Sequence, residues 1–249
     1  SLGAIPVPLY QDAAAAECVF PITNAEVRFC VVEDQEQVDK MLEVREKCPQ
    51  LTHIYYDDPR GLRKYTEDGL GSLEELIAAG AVFAKQHPQF FSEEVETAQY
   101  TDVAAMFFTS GTTGNPKGVV HTHGSLTDRA EAGAEFDKLT NAEDVLAYMP
   151  PAWVGQNIFS YAQWLVCGYV VNCPESAATV TIDLKEIGPT YYFAPPRVFE
   201  GMLTSVMIRM EDAGVFKRKM FHAFMDVAKK VGPALMDGQS VGLADRLMY

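Results

Sequence analysis

Residues Phe107 to His123 read Phe-Phe-Thr-Ser-Gly-Thr-Thr-Gly-Asn-Pro-Lys-Gly-Val-Val-His-Thr-His. Within them, Thr109 to Gly118 gathers four hydroxyl side chains, three glycines and one lysine. Glycines let backbone N–H groups come close to an anion because no Cβ intervenes. The hydroxyls of Thr109, Ser110, Thr112 and Thr113 can donate to phosphate oxygens, and Lys117 adds a mobile positive charge. These residue types in one loop describe a cradle for a polyphosphate.

The flanks decide what kind of loop this is. A Walker A loop ends in Gly-Lys-Ser/Thr and opens a helix. Here Pro116 precedes the lysine and Gly118 follows it. Val103 to Phe108 is a short apolar run of strand character, and Val119-Val120-His121 reads as a second strand. The helix signal comes later, at Ser125, with Asp128 three residues on as an approximate capping box. The loop is therefore expected to join two strands, with its phosphates away from any helix N-terminus.

Thr-Ser-Gly-Thr-Thr-Gly-Asn-Pro-Lys-Gly resembles, at all ten positions, the phosphate-loop signature of the adenylate-forming superfamily. That superfamily includes acyl-CoA synthetases, peptide-synthetase adenylation domains and luciferases. The resemblance implies an α/β fold, layered α/β/α with a mainly parallel sheet. It implies that Ser110, Gly111, Thr112, Thr113 and Gly114 hold the β and γ phosphates of ATP. Thr113 and Lys117 would act in catalysis, and Thr109 would help to position Mg2+. The reaction implied is activation of a carboxylic acid as an acyl-adenylate, followed by transfer to coenzyme A.

Further segments extend the resemblance. Gly3-Ala-Ile-Pro-Val-Pro-Leu-Tyr resembles a strand that lies well inside an acyl-CoA synthetase. Tyr148-Met-Pro-Pro-Ala-Trp-Val154 corresponds to a segment whose aromatic residue borders the acyl and nucleotide pockets. Trp153 there occupies a position usually held by histidine and is the candidate substrate contact, beside the plainer reading of a tryptophan that closes the core. Thr190 to Glu200 resembles a strand-then-helix segment ending in Pro-Arg-x-x-Glu. Pro196 suits a first helical turn, and Arg197, unfavourable to the helix dipole there, calls for a partner such as Glu200. Phe-His-Ala-Phe-Met-Asp-Val-Ala, within Phe216 to Val231, resembles long-chain members of the family.

The rest of the family's machinery cannot be read here. Neither Tyr-Gly-x-Thr-Glu nor Thr-Gly-Asp occurs in the 249 residues. Residues 1–249 are thus expected to form part of the family's large N-terminal AMP-binding domain, without the C-terminal domain that carries a catalytic lysine. On its own such a piece is expected to be inactive. The lead substrate class is a long-chain fatty acid, with an aryl or medium-chain acid as the alternative. A non-catalytic nucleotide- or phosphate-binding module is the competing reading from another class.

Composition narrows the partners. A net charge of −14 disfavours nonspecific nucleic-acid binding and leaves membrane contact at most peripheral. No apolar run approaches the roughly 18 residues of a membrane span. Five scattered cysteines without Cys-x-x-Cys spacing suggest neither a disulfide framework nor a zinc site, and point to a reducing cytoplasm. The pattern leaves the oligomeric state open. His121 and His123 flank the loop without a third metal ligand, so they read as strand and helix-entry positions that contact the backbone.

Along the chain, strands are expected at Gly3 to Leu9, Val27 to Val32, Leu51 to Tyr56, Val145 to Met149, Tyr169 to Cys173 and Thr190 to Ala194. Helices are expected at Ala13 to Phe20, Asp34 to Lys47, Ser72 to His87, Ser125 to about Leu139 and Gln156 to Val166. Leu184 to Gly188 reads as a helical turn. Two long helices follow from Arg197 and from Phe216, and Gln89 to Asp102 reads as an acidic connector. Short strands alternating with such helices indicate a largely parallel α/β arrangement.

Overall fold

The computed structural model describes residues 3–109 and 116–248, and its elements fall into two units, Ser1–Tyr192 and Phe193–Tyr249. In the first unit, three helices begin at a side-chain cap, Asp34, Ser72 and Thr122. Helix α1 (Ala15–Asn24) leads to strand β1 (Phe29–Val32) and helix α2 (Gln35–Lys47), where the Asp34 carboxylate accepts from the Gln37 N–H. Strands β2 (His53–Tyr56) and β3 (Leu70–Ser72) follow, then helix α3 (Leu73–Gln86). At α3, Ser72 and Glu75 form a reciprocal capping box, with bonds of 3.1 and 2.9 Å. The strands pair in parallel in the order β1-β2-β3.

One apolar face of α2 anchors this half. Val38 and Val44 are fully buried and Met41 nearly so, at helical spacing. Met41 and Val44 pack in one cluster with Cys18 and Ile22 of α1, Cys48, Leu51 and Ile54 of β2. Gly69 turns the chain into β3 with φ +74°, and a Cβ there would run into the Thr52 carbonyl oxygen. Gly69→Ala combines a left-handed φ, about 1–2 kcal/mol for an L-residue, with that collision. It is expected to lower the urea midpoint without changing the slope of the transition.

Several expectations are corrected in this half. Gly3 to Leu9 forms no strand; it runs extended, and its Pro6 carbonyl accepts from the Met106 N–H at 3.0 Å. The β-branched run Val27 to Val32, which reads as a buried strand, is covered on one face alone: Phe29 and Val31 are each 53% exposed, while Cys30 and Val32 pack against the core. The connector Gln89 to Asp102 contains helix α4 (Phe90–Thr97). Its eight residues are exposed or half-buried and carry only Phe90, Phe91 and Val95 as apolar side chains, too few to stand out as a helix.

Strands β4 (Val103–Thr109) and β5 (Lys117–Thr122) make an antiparallel hairpin, followed at once by helix α5 (His123–Asp137). Strand β6 (Asp144–Leu146) comes next. Helix α6 (Val154–Gln156), a π-helical segment (Asn157–Ala162) and helix α7 (Gln163–Cys167) then succeed one another without a break. Within the widened stretch the hydroxyl of buried Tyr169 donates to the Phe159 carbonyl at 2.6 Å. Strand β7 (Val170–Asn172) pairs with β6 in parallel, and helix α8 (Val180–Ile187) is longer than the single turn expected. The strand expected at Thr190 to Ala194 is reduced to one parallel bridge, Val145 to Tyr191, before Pro195 and Pro196 end the pairing.

The second unit is helical: α9 (Pro196–Glu211), α10 (Val215–Met236) and α11 (Leu243–Met248). Pro196 takes the first helical position as expected. Arg197 is not joined to Glu200. Glu211 instead pairs with Arg218 at 3.6 Å and is hydrogen-bonded to the His222 ring at 3.1 Å, and Lys230 pairs with Asp245 at 3.1 Å. Exposed pairs of this kind add little stability. Among the described residues, no helix is long and apolar enough to cross a membrane.

All five cysteines are free. Burial pushes the Cys30 thiol up to about 12, with Arg45 pulling weakly the other way. Cys173 is exposed. Because the thiolate is the nucleophile, iodoacetamide at neutral pH is expected to label Cys173 well before Cys30, read by peptide mass spectrometry.

Candidate functional site

The hairpin is built from an asymmetric pair of strands. On β4, Ala105 and Phe107 point into the core at 6% and 3% exposure. Phe108, on the other face, meets Phe20 edge to face at 6.3 Å. β5 lies outside it, with Val119 and Val120 40% and 50% exposed. The register runs from Val103 opposite Thr122 to Thr109 opposite Lys117. Gly118 sits across from Phe108, where a Cβ would press on the Met106 sulfur and the Phe108 ring at 3.1–3.3 Å. A side chain at this last glycine of the motif would have to push those two neighbours aside by a few tenths of an ångström.

Thr109 and Lys117 therefore face each other at the mouth of the hairpin, both exposed. The Thr109 hydroxyl donates to the Lys117 carbonyl at 3.5 Å, the long limit of such a bond. Ser110, Gly111, Thr112, Thr113 and Gly114 lie outside the described residues. What is described is the platform: a strand-to-strand connection, as the sequence implied, whose two ends are held in register.

The helix that follows is closed to anions at its start. Helix N-termini attract phosphates through their unpaired N–H groups. In α5 the first three are taken. His123 N–H donates to the Asp102 carbonyl at 3.0 Å and Gly124 N–H to the Tyr100 carbonyl at 2.8 Å. Ser125 N–H donates to the Thr122 hydroxyl at 3.0 Å. The N-cap is Thr122, three residues before the expected start at Ser125, and Asp128 serves no capping box. Its carboxylate instead accepts from the Tyr100 hydroxyl, which raises the tyrosine's pKa. The sequence did not single out Tyr100 or Gly124; their contact is made across the hairpin, and only Thr122 carried a local signal.

The two histidines do not share a strand face. β5 ends at Thr122, so His123 is the first helical residue and contacts backbone through its N–H. The His121 ring lies edge-on to Phe107 at 5.7 Å, and its Nδ1 is 3.4 Å from the Ser125 hydroxyl. Among the described residues, no three His, Cys, Asp or Glu side chains are grouped to hold a metal.

Trp153 precedes α6 and is half-buried. Its ring lies over Gly155, where any Cβ would strike it, and its carbonyl accepts from the Gln156 N–H at 3.1 Å and the Asn157 amide at 3.3 Å. The tryptophan is thus fixed by its own turn. Just before it, Tyr148 stacks on Tyr192 with centroids 5.4 Å apart. Burial is the main cause of the raised Tyr148 pKa.

Comparison with known proteins agrees with this architecture. The sequence model of the AMP-binding enzymes matches residues 1–237. A long-chain-fatty-acid–CoA ligase of Xenopus laevis, ACSBG2, is 28% identical over 230 residues, 88% of this chain and 30% of that protein. Its human namesake is 27% identical over 244 residues, 95% of this chain and 35% of that protein. The chain thus spans about a third of the length of these curated relatives. Among solved structures, the adenylation domain of a carboxylate reductase from Mycobacterium chelonae superposes with a TM-score of 0.64 at 14% identity. The match covers 85% of this chain and 34% of that one. An anthranilate CoA ligase solved with anthranoyl-AMP gives 0.59 at 20% identity, over 78% and 35% of the two chains. These likenesses establish the fold as part of the N-terminal domain of adenylate-forming enzymes. Hairpin motif, fold and sequence match converge, and the chain belongs to the AMP-binding enzyme family.

Proposed function

We propose that the protein carrying this chain is an ATP-dependent, AMP-forming acid–thiol ligase acting on a long-chain fatty acid. The carboxylate attacks the α-phosphorus of ATP, giving acyl-adenylate and releasing pyrophosphate. The thiol of coenzyme A then attacks the acyl carbon, giving thioester and AMP. The first step replaces a poor leaving group, carboxylate oxygen, by a good one. The observation that carries the reading is the ten-residue motif on an antiparallel hairpin whose ends, Thr109 and Lys117, are held opposite each other. The long-chain choice is supported by relatives named for that substrate.

In this reading Ser110, Thr112, Thr113 and the amides of Gly111 and Gly114 hold the β and γ phosphates. Lys117 and Thr113 follow the charge that builds on the departing pyrophosphate, where fixed donors lower the barrier most. The Thr109 hydroxyl would offer one oxygen to Mg2+, which commonly takes few protein ligands beside substrate phosphates. An exposed neutral hydroxyl at the mouth fits that role. The metal's contribution, when bound, is to neutralise phosphate charge. Trp153 would border the acyl group with its fixed ring. A cytoplasmic setting belongs to the same reading and is supported by the five free thiols.

Residues 1–249 alone contain no Tyr-Gly-x-Thr-Glu or Thr-Gly-Asp segment, and we expect them to release no AMP from ATP, acid and coenzyme A. The substrate assignment is tested by offering the complete gene product long-chain, medium-chain and aryl acids together with ATP, Mg2+ and coenzyme A. Mass spectrometry then identifies the thioester made. A long-chain acyl-CoA as the main product supports the reading; preference for a benzoate or a medium-chain acid would reassign the substrate.

A further inference from the structure

We infer that Tyr100 is a positioning residue that clamps the root of the phosphate hairpin to α5; this rests on the adenylation reading above. Three contacts converge on it. Its carbonyl accepts from the Gly124 N–H at 2.8 Å, and its hydroxyl donates to Asp128 one turn further along α5. Its ring lies flat over Gly124, so closely that any Cβ at Gly124 would overlap it. Gly124 is buried and helical without a positive φ, so its backbone does not require glycine. The ring requires it. Asp102, two residues on, binds the His123 N–H, so both ends of the hairpin, before β4 and after β5, are fastened to one another.

The clamp matters through leverage. The root pair Val103–Thr122 and the mouth pair Thr109–Lys117 are five steps apart along β5 and six along β4, which carries a bulge between Val103 and Ala105. At about 3.3 Å per residue the mouth is roughly 17 Å from the root, and a pivot of about 5° moves it by about 1.5 Å. Reacting groups tolerate less, since a misplacement of about 1 Å can cost about a hundredfold. The effect should fall on ATP rather than on the acid, because the hairpin carries the phosphate motif.

Gly124→Ala is the discriminating variant. Alanine is the better helix former, so α5 is favoured while the Tyr100 ring is displaced. In the complete gene product, Gly124→Ala and Tyr100→Ala are expected to raise KM for ATP by about tenfold, with KM for the acid within about twofold of wild type. Tyr100→Phe keeps the ring and should stay within about threefold of wild type. Hydrogen exchange at the Gly124 amide should quicken in both alanine variants without nucleotide. A wild-type protein with no acid-dependent turnover would sink the adenylation reading, and the exchange rates would still decide the clamp. The clamp is overturned if folded Gly124→Ala keeps the wild-type KM for ATP. It is equally overturned if exchange at Gly124 is unchanged.

Discussion

Lys117→Ala is expected to slow acid-dependent ATP–pyrophosphate exchange by about ten- to a thousandfold, the range for removing a donor that follows transition-state charge. The side chain is exposed at the first position of β5, so its loss should change stability by no more than about 0.5 kcal/mol. The contact that holds the hairpin mouth uses the Lys117 carbonyl, which alanine retains. Activity and stability are thereby separated in one variant. Thr113→Ala should fall in the same range of activity loss. Undiminished exchange in a folded Lys117→Ala protein would remove the lysine from the mechanism.

Leu51→Ala should lower stability by about 2–5 kcal/mol. Leu51 is fully buried in the cluster that joins α1, α2 and β2. Cutting its isobutyl side chain back to methyl costs transfer energy and leaves a cavity that three elements would have to collapse to fill. Against a typical total of about 5–15 kcal/mol, the loss would leave the fold marginal at body temperature. Urea unfolding followed by circular dichroism measures it. A shift under about 1 kcal/mol would mean that the cluster repacks more freely than the burial of Val44, Cys48 and Ile54 suggests.

Local chemistry made much of this legible in the sequence. Ser72 and Glu75 announce α3, Asp34 announces α2, and Pro196 opens α9, because each satisfies or avoids a helix-end N–H within one turn. The hairpin was legible because apolar runs flank a loop that ends in Pro-Lys-Gly. What escaped depends on distant partners. The π-helical segment is met by the hydroxyl of Tyr169, ten residues past Phe159. The bridge at Tyr191 and the short strand β3 depend on neighbours in the sheet rather than on their own residues. Tyr100 reads as connector, yet it meets α5 through ring, carbonyl and hydroxyl, 24 to 28 positions away. The candidate site was found from its motif; the parts that brace it are assembled only by the fold.

The central claim is that acid and ATP meet through an acyl-adenylate. The most direct measurement follows the oxygen. The complete gene product is given a long-chain fatty acid labelled with oxygen-18 in its carboxylate, with ATP, Mg2+ and coenzyme A, and the nucleotide product is weighed by mass spectrometry. Attack of the carboxylate on the α-phosphorus places one labelled oxygen in the bridge, and thiol attack on the acyl carbon leaves it on AMP. The account predicts AMP carrying one oxygen-18 for each thioester formed, and both products formed more slowly, in step with each other, in Lys117→Ala. Unlabelled AMP, or ADP with labelled orthophosphate, would contradict it.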